Sequence, residues 1–137
     1  MTPVYFELNL NLMNRSILLI VGLGGFLGSI ARYLTAVLFT RLWPSAFPFG
    51  TFAANVVGCL LIGVVYGLSG RMEWLTPEWR LFLATGFCGG YTTFSSFTYE
   101  NANLLQTGQY WTFFIYTAAS VILGLSAVVL GILITKL

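Results

Sequence analysis

Four long stretches of this chain carry almost no charge, and they leave the fold little choice. They cover residues 17–39, interrupted only by Arg32; 49–70; 81–105, uncharged until Glu100; and 110–135. About 20 mostly apolar residues make a helix long enough to cross a bilayer. In hydrocarbon every backbone N–H and C=O needs a partner within the protein, which a helix supplies internally. The linkers 40–48, 71–80 and 106–109 are short, so consecutive helices run antiparallel in a bundle. Trp43, Trp74, Trp79 and Trp111 all fall at the ends of the stretches, where aromatic belts form. Charged residues make up only 7% of the chain, against about 25% in an ordinary soluble domain. The expectation is an all-α membrane protein with four transmembrane helices. A single four-span domain over 15–137 follows an N-terminal extension, 1–14, which lacks the pattern of a cleaved signal peptide.

The residue inventory excludes several function classes. The chain has no histidine, and its two cysteines, Cys59 and Cys88, lie inside apolar stretches and read as free buried thiols. No paired carboxylates are available for acid–base work, so an enzyme is not expected. A net charge of +2, scattered along the chain, gives no footprint for nucleic acid. Arg15, Arg71, Arg80 and Lys136 fall on one side of a four-span chain, and Arg41 and Arg32 toward the other. That bias is small, and a small bias lets a chain insert in both orientations.

The third stretch is the least regular. Gly86-Phe87-Cys88-Gly89-Gly90-Tyr91-Thr92-Thr93-Phe94-Ser95-Ser96-Phe97 holds three glycines, two threonines and two serines. Glycine weakens a helix by about 1 kcal/mol relative to alanine. Irregular backbone at membrane depth persists only where protein buries it or a wet cavity touches it. A helix broken in mid-membrane is therefore expected here, and such breaks commonly build ion sites. Glycines elsewhere suggest helix seams: the stripe Gly22, Gly25 and Gly28, and the pairs Gly24–Gly28, Gly63–Gly67 and Ser120–Gly124.

The few polar groups in the spans each admit two readings. Arg32 either snorkels to the interface or draws anions into a vestibule. Asn55 either ties two helices together or offers its amide hydrogens to an anion. Phe94 and Phe97 share a helix face, as do Thr93 and Ser96. Phenyl edges carry partial positive charge, so rings beside hydroxyls could solvate a small anion, although a phenylalanine pair is ordinarily core. Glu100 either caps this site or is solvated at the helix end. Tyr116 and Ser120, four residues apart, form a polar track on the fourth span.

Three blocks together resemble the fluoride channel family, Fluc/CrcB. They are Gly24-Gly25-Phe26-Leu27-Gly28-Ser29-Ile30-Ala31-Arg32-Tyr33, Pro48-Phe49-Gly50-Thr51-Phe52-Ala53-Ala54-Asn55, and the Gly86–Phe97 block followed by Glu100. Each falls on the expected span, and the likeness runs from Arg15 onward. The resemblance implies an antiparallel, dual-topology homodimer in the inner cell membrane. It implies two pores that passively export cytoplasmic fluoride and so relieve fluoride toxicity. It implies a fluoride pore lined by Asn55, Phe94, Phe97, Ser96, Thr93, Tyr116 and Ser120, with Arg32 in the vestibule. It also implies a structural sodium ion, not transported, held at the dimer centre by the backbone carbonyls of Gly89 and Thr92. Gly124 stands where some members carry a further serine.

Two other readings compete. A small dual-topology, proton-coupled cation or drug antiporter has the same size and span count, but needs a titratable acid inside a span. The first span has none, and Glu100 sits near the end of the third. A non-transporting assembly subunit would account for the glycine seams but not for hydroxyls clustered at a helix break.

Overall fold

A computed structural model describes residues 15–137, and most of them are helical. The stretch expected as an extension, 1–14, lies outside the described residues. The first helix, α1 (Arg15–Leu42), has 28 residues. At 1.5 Å per residue it is about 42 Å long, enough to cross the hydrocarbon and reach both headgroup layers. The second, α2 (Phe49–Leu68), starts directly after Pro48, whose carbonyl accepts the Phe52 N–H at 3.0 Å. The last, α6 (Tyr110–Ile134), has 25 residues. Among the described residues, these three helices are long and apolar enough to cross a membrane.

The region between α2 and α6 is helical but divided. Thr76 accepts the Trp79 N–H at 3.4 Å and caps the short α3 (Pro77–Arg80), with proline in its first turn, where a missing N–H costs nothing. A π-helical stretch, π1 (Leu81–Cys88), continues without a gap into α4 (Gly89–Tyr91). In π1 the ladder widens, and the Gly89 N–H reaches the Ala84 carbonyl five residues back. Thr92 and Thr93 are then extended, with ψ of 158° and 124°. Helix resumes as α5 (Phe94–Gln106). The turn from α5 to α6 is a Schellman motif: Gly108 at φ +72° lets the Gly108 and Gln109 amides close back on the Leu105 and Leu104 carbonyls.

Two glycine seams hold the bundle. The most extensive pairing is α2 on α6. A Cβ at Gly63 would overlap the Val128 carbonyl, and one at Gly131 would lie 2.5 Å from the Leu60 carbonyl. The second seam joins α1 to π1 and α4. There a Cβ at Gly24 or Gly28 would strike the carbonyl of Phe82 or Phe87, and one at Gly86 would lie 2.9 Å from the Gly24 Cα. The expected stripe of Gly22, Gly25 and Gly28 is only partly used, since a Cβ at Gly22 would meet no atom of another helix within 4 Å among the described residues. Six residues turn a helix by far more than one face, whereas the four between Gly24 and Gly28 nearly restore it. At the end where α2 stops, the Arg71 guanidinium donates to the Thr135 carbonyl and Arg80 to the Ser69 hydroxyl. Large apolar side chains on the outer faces of α1 and α6 stay exposed, as lipid contact requires.

The seam predicts unequal tolerance. Gly28→Val should lower the unfolding midpoint sharply or prevent folding, because backbone must move to admit the side chain. Gly22→Ala should change stability by about 1 kcal/mol or less. Thermal unfolding of the purified variants measures both, and equal tolerance would refute the seam.

Candidate functional site

The interruption at Thr92–Thr93 is held by an amide from another helix. Asn55 on α2 accepts the Thr93 N–H on its Oδ1 at 2.8 Å and donates from Nδ2 to the Thr93 carbonyl at 3.1 Å. An extended residue between two helices has no helical partner for either group, so the clasp satisfies both. The Thr93 side chain caps α5 by accepting the Ser96 N–H at 3.2 Å, and its oxygen lies 3.3 Å from the Ser96 hydroxyl. On the other side of the break, the Thr92 hydroxyl donates back to the Cys88 carbonyl at 2.8 Å. Arg32 donates from Nε to the Gly90 carbonyl at 3.1 Å and so ties α1 to α4. Among the described residues, the carbonyls of Gly89 and Thr92 accept no hydrogen bond. They are free oxygens that a hard cation could take up.

Beyond the break, α5 presents aromatic and acidic groups together. Phe94 is 76% exposed, and its ring centre lies 5.9 Å from that of Phe97. Phe97 in turn packs on Tyr116 at 5.1 Å. Tyr116 is completely buried and donates its hydroxyl to Glu100 at 2.8 Å. The other Glu100 oxygen accepts from the Thr51 hydroxyl at 2.6 Å. A half-buried carboxylate is stabilised by such donors, and here two hydroxyls supply them. Phe47, from the linker before α2, meets Tyr116 edge-on at 5.3 Å and closes this cluster.

Two openings flank the start of α5. A groove of about 600 Å³ is lined by Asn55, Thr93, Phe94, Phe97 and Ser120, and also by Gly89 and Thr92. The Ser120 hydroxyl is buried and has no hydrogen-bond partner among the described residues. A second cavity of about 300 Å³ is lined by Arg32, Thr51, Thr93, Ser96 and Glu100. Thr93 borders both. Of the residues singled out from the sequence, Tyr116 alone lines neither opening; it stands behind Phe97 and Glu100 as their support. Asn55 joins two helices and also borders the groove.

Sequence reasoning missed several participants. Glu100 was visible as the one acid within a span, but nothing in the sequence pairs it with Thr51 and Tyr116. Phe47 looked like an ordinary linker residue. Asn101, 7% exposed, accepts the Thr117 hydroxyl at 2.9 Å and donates to the Phe97 carbonyl at 2.8 Å. No local pattern marks it, because its partner belongs to α6.

Comparison with known proteins places these residues in a known sequence context. Residues 19–132 match the profile described as CrcB-like protein, Camphor Resistance (CrcB). Curated relatives cover most of the chain. A protein of Chlorobium luteolum, named fluoride-specific ion channel FluC, is 48% identical across 86% of this chain and 91% of its own length. Proteins of the same name from Phocaeicola vulgatus and Azobacteroides pseudotrichonymphae are 48% and 44% identical, covering 84% and 85% of this chain and 94% of their own lengths.

The clasp gives a direct test. Asn55→Ala leaves the Thr93 N–H and C=O without partners and should destabilise the fold by about 2 kcal/mol or more. Denaturant or thermal unfolding in micelles reads this, and an unchanged midpoint would remove the clasp as a structural element.

Proposed function

The chain belongs to the CrcB-like family, a family of multi-pass membrane ion channels rather than enzymes, and on that premise we propose that it is a fluoride-selective channel that passively exports cytoplasmic fluoride and so relieves its toxicity. The carrying observation is the groove beside the helix break, where an unpartnered buried serine hydroxyl borders the same opening as two phenylalanine rings and an asparagine amide. Fluoride holds its water tightly, so a path through apolar protein must replace that water with other positive hydrogens. Ser120 can donate its free hydroxyl hydrogen. Asn55 keeps one amide hydrogen beyond the one given to Thr93. Phe94 and Phe97 offer ring edges, which attract an anion weakly enough to let it leave. Ser96 and Thr93 continue the hydroxyl lining toward the second cavity, where Arg32 raises the local anion concentration. Tyr116 acts from behind by holding Phe97 and Glu100 in place. A membrane potential negative inside then drives the anion outward.

The working unit in this reading is an antiparallel, dual-topology homodimer in the inner cell membrane, with two pores built by both subunits and the third helix broken at mid-membrane. The exposure of Phe94 supports it, because a ring so open to the outside leaves one wall of the groove for a partner. The weak asymmetry of basic residues is compatible with insertion in both orientations. The uncommitted carbonyls of Gly89 and Thr92 fit a structural sodium at the dimer centre, with each subunit giving its own pair. A sodium bound there supplies charge that offsets those oxygen dipoles and takes no part in transport. The antiporter reading is not favoured, since Glu100 is engaged by Thr51 and Tyr116 and the relatives are named as ion channels.

Liposomes loaded with fluoride and carrying the purified protein should release it once a potassium ionophore removes the opposing voltage, and should retain chloride. Chloride release at the same rate would reject the selectivity. Phe94→Ile should slow fluoride release at least tenfold while the dimer elutes unchanged; unaltered release would take Phe94 out of the pore. Replacing sodium with a large organic cation should reduce flux, and normal flux under rigorously sodium-free conditions would count against a central cation.

A further inference from the structure

The end of the bundle far from Glu100, where α2 stops and α6 finishes, carries a cavity that the channel reading does not use. It measures about 600 Å³, and its walls include Ser69, Arg71, Glu73, Thr76 and Arg80. Arg80 is half-buried: one terminal nitrogen donates to the Ser69 hydroxyl at 2.8 Å, while its Nε is shielded from solvent with no partner among the described residues. Arg71 gives one N–H to the Thr135 carbonyl. Among the described residues, neither arginine forms an ion pair. Glu73 lines the same cavity without reaching them, and Glu78 is exposed and influences Arg80 only through space. A guanidinium partly withdrawn from water with no counter-anion is unfavourable, as at Arg80, and the exposed Arg71 faces the same space. The tryptophans beside them, Trp74 and Trp79, are exposed, as rings at headgroup depth are.

We propose that this cavity binds the phosphate of an anionic phospholipid, held by Arg71 and Arg80 with the Ser69 hydroxyl as a further donor. The guanidinium fork matches two phosphate oxygens at once. Basic pockets between membrane helices take headgroups on this principle. Inorganic phosphate has the same donor requirements, but a lipid also lays its acyl chains on the exposed apolar faces that continue from this end of the bundle, and the flanking tryptophans favour that source. The inference stands independently of fluoride conduction.

The test uses the full-length protein in a neutral detergent, with thermal unfolding as readout. Phosphatidylglycerol should raise the midpoint by about 3 °C or more, and phosphatidylcholine should not. Arg71→Gln and Arg80→Gln should each abolish the difference between the two lipids. Arg71 is exposed, so Arg71→Gln alone decides the matter if Arg80→Gln does not fold. Equal shifts with both lipids, or a selective shift that survives Arg71→Gln, would overturn the site. Equal protection by millimolar inorganic phosphate would assign the cavity to a free anion and overturn the lipid reading.

Discussion

The clasp between Asn55 and the backbone of Thr93 is the constraint on which the rest of the site depends. A helix interrupted inside the bundle leaves N–H and C=O groups without helical partners. One asparagine amide matches both groups of a single extended residue, because it carries a donor and an acceptor side by side. With Thr93 fixed, its hydroxyl can cap α5, and the cap sets the direction in which Phe94, Phe97 and Glu100 project. The interruption is thus an arranged feature with its own partners on both sides: Asn55 and Ser96 after it, Cys88 and Arg32 before it.

A second layer keeps those projections in place. Glu100 engages Thr51 on α2 and Tyr116 on α6, so one carboxylate links three helices. Tyr116 also supports Phe97, and Phe47 closes over Tyr116 from the linker. Asn101 adds a link from α5 to α6 through Thr117 and takes up the Phe97 carbonyl. In a low-dielectric interior such bonds are strong when complete and costly when one member is missing. The groups bordering the groove are therefore mounted on a stiff frame, even though Phe94 itself is open.

The packing uses a different device. Apolar side chains gain little from meeting each other rather than lipid, so close backbone approach must bring the helices together. Glycines on α1, π1, α2 and α6 allow that approach, and the outer faces keep their large aliphatic residues for lipid or a partner. The same economy of polar groups makes the unpaired arginines at the end of α2 conspicuous.

Much of this was legible in the residues themselves. The uncharged stretches 17–39, 49–70 and 110–135 become α1, α2 and α6, and the glycine and hydroxyl content of 86–97 marks where helix gives way, because each is a property of neighbours along the chain. The π-helical widening of Leu81–Cys88, the preference for Gly24 and Gly28 over Gly22, and the engagement of Glu100 by Thr51 and Tyr116 were decided only in three dimensions. Those features depend on which helix face meets which and on distances between residues far apart in sequence. A hydroxyl or a carboxylate reads the same in any apolar span until a neighbouring helix brings its partner within reach.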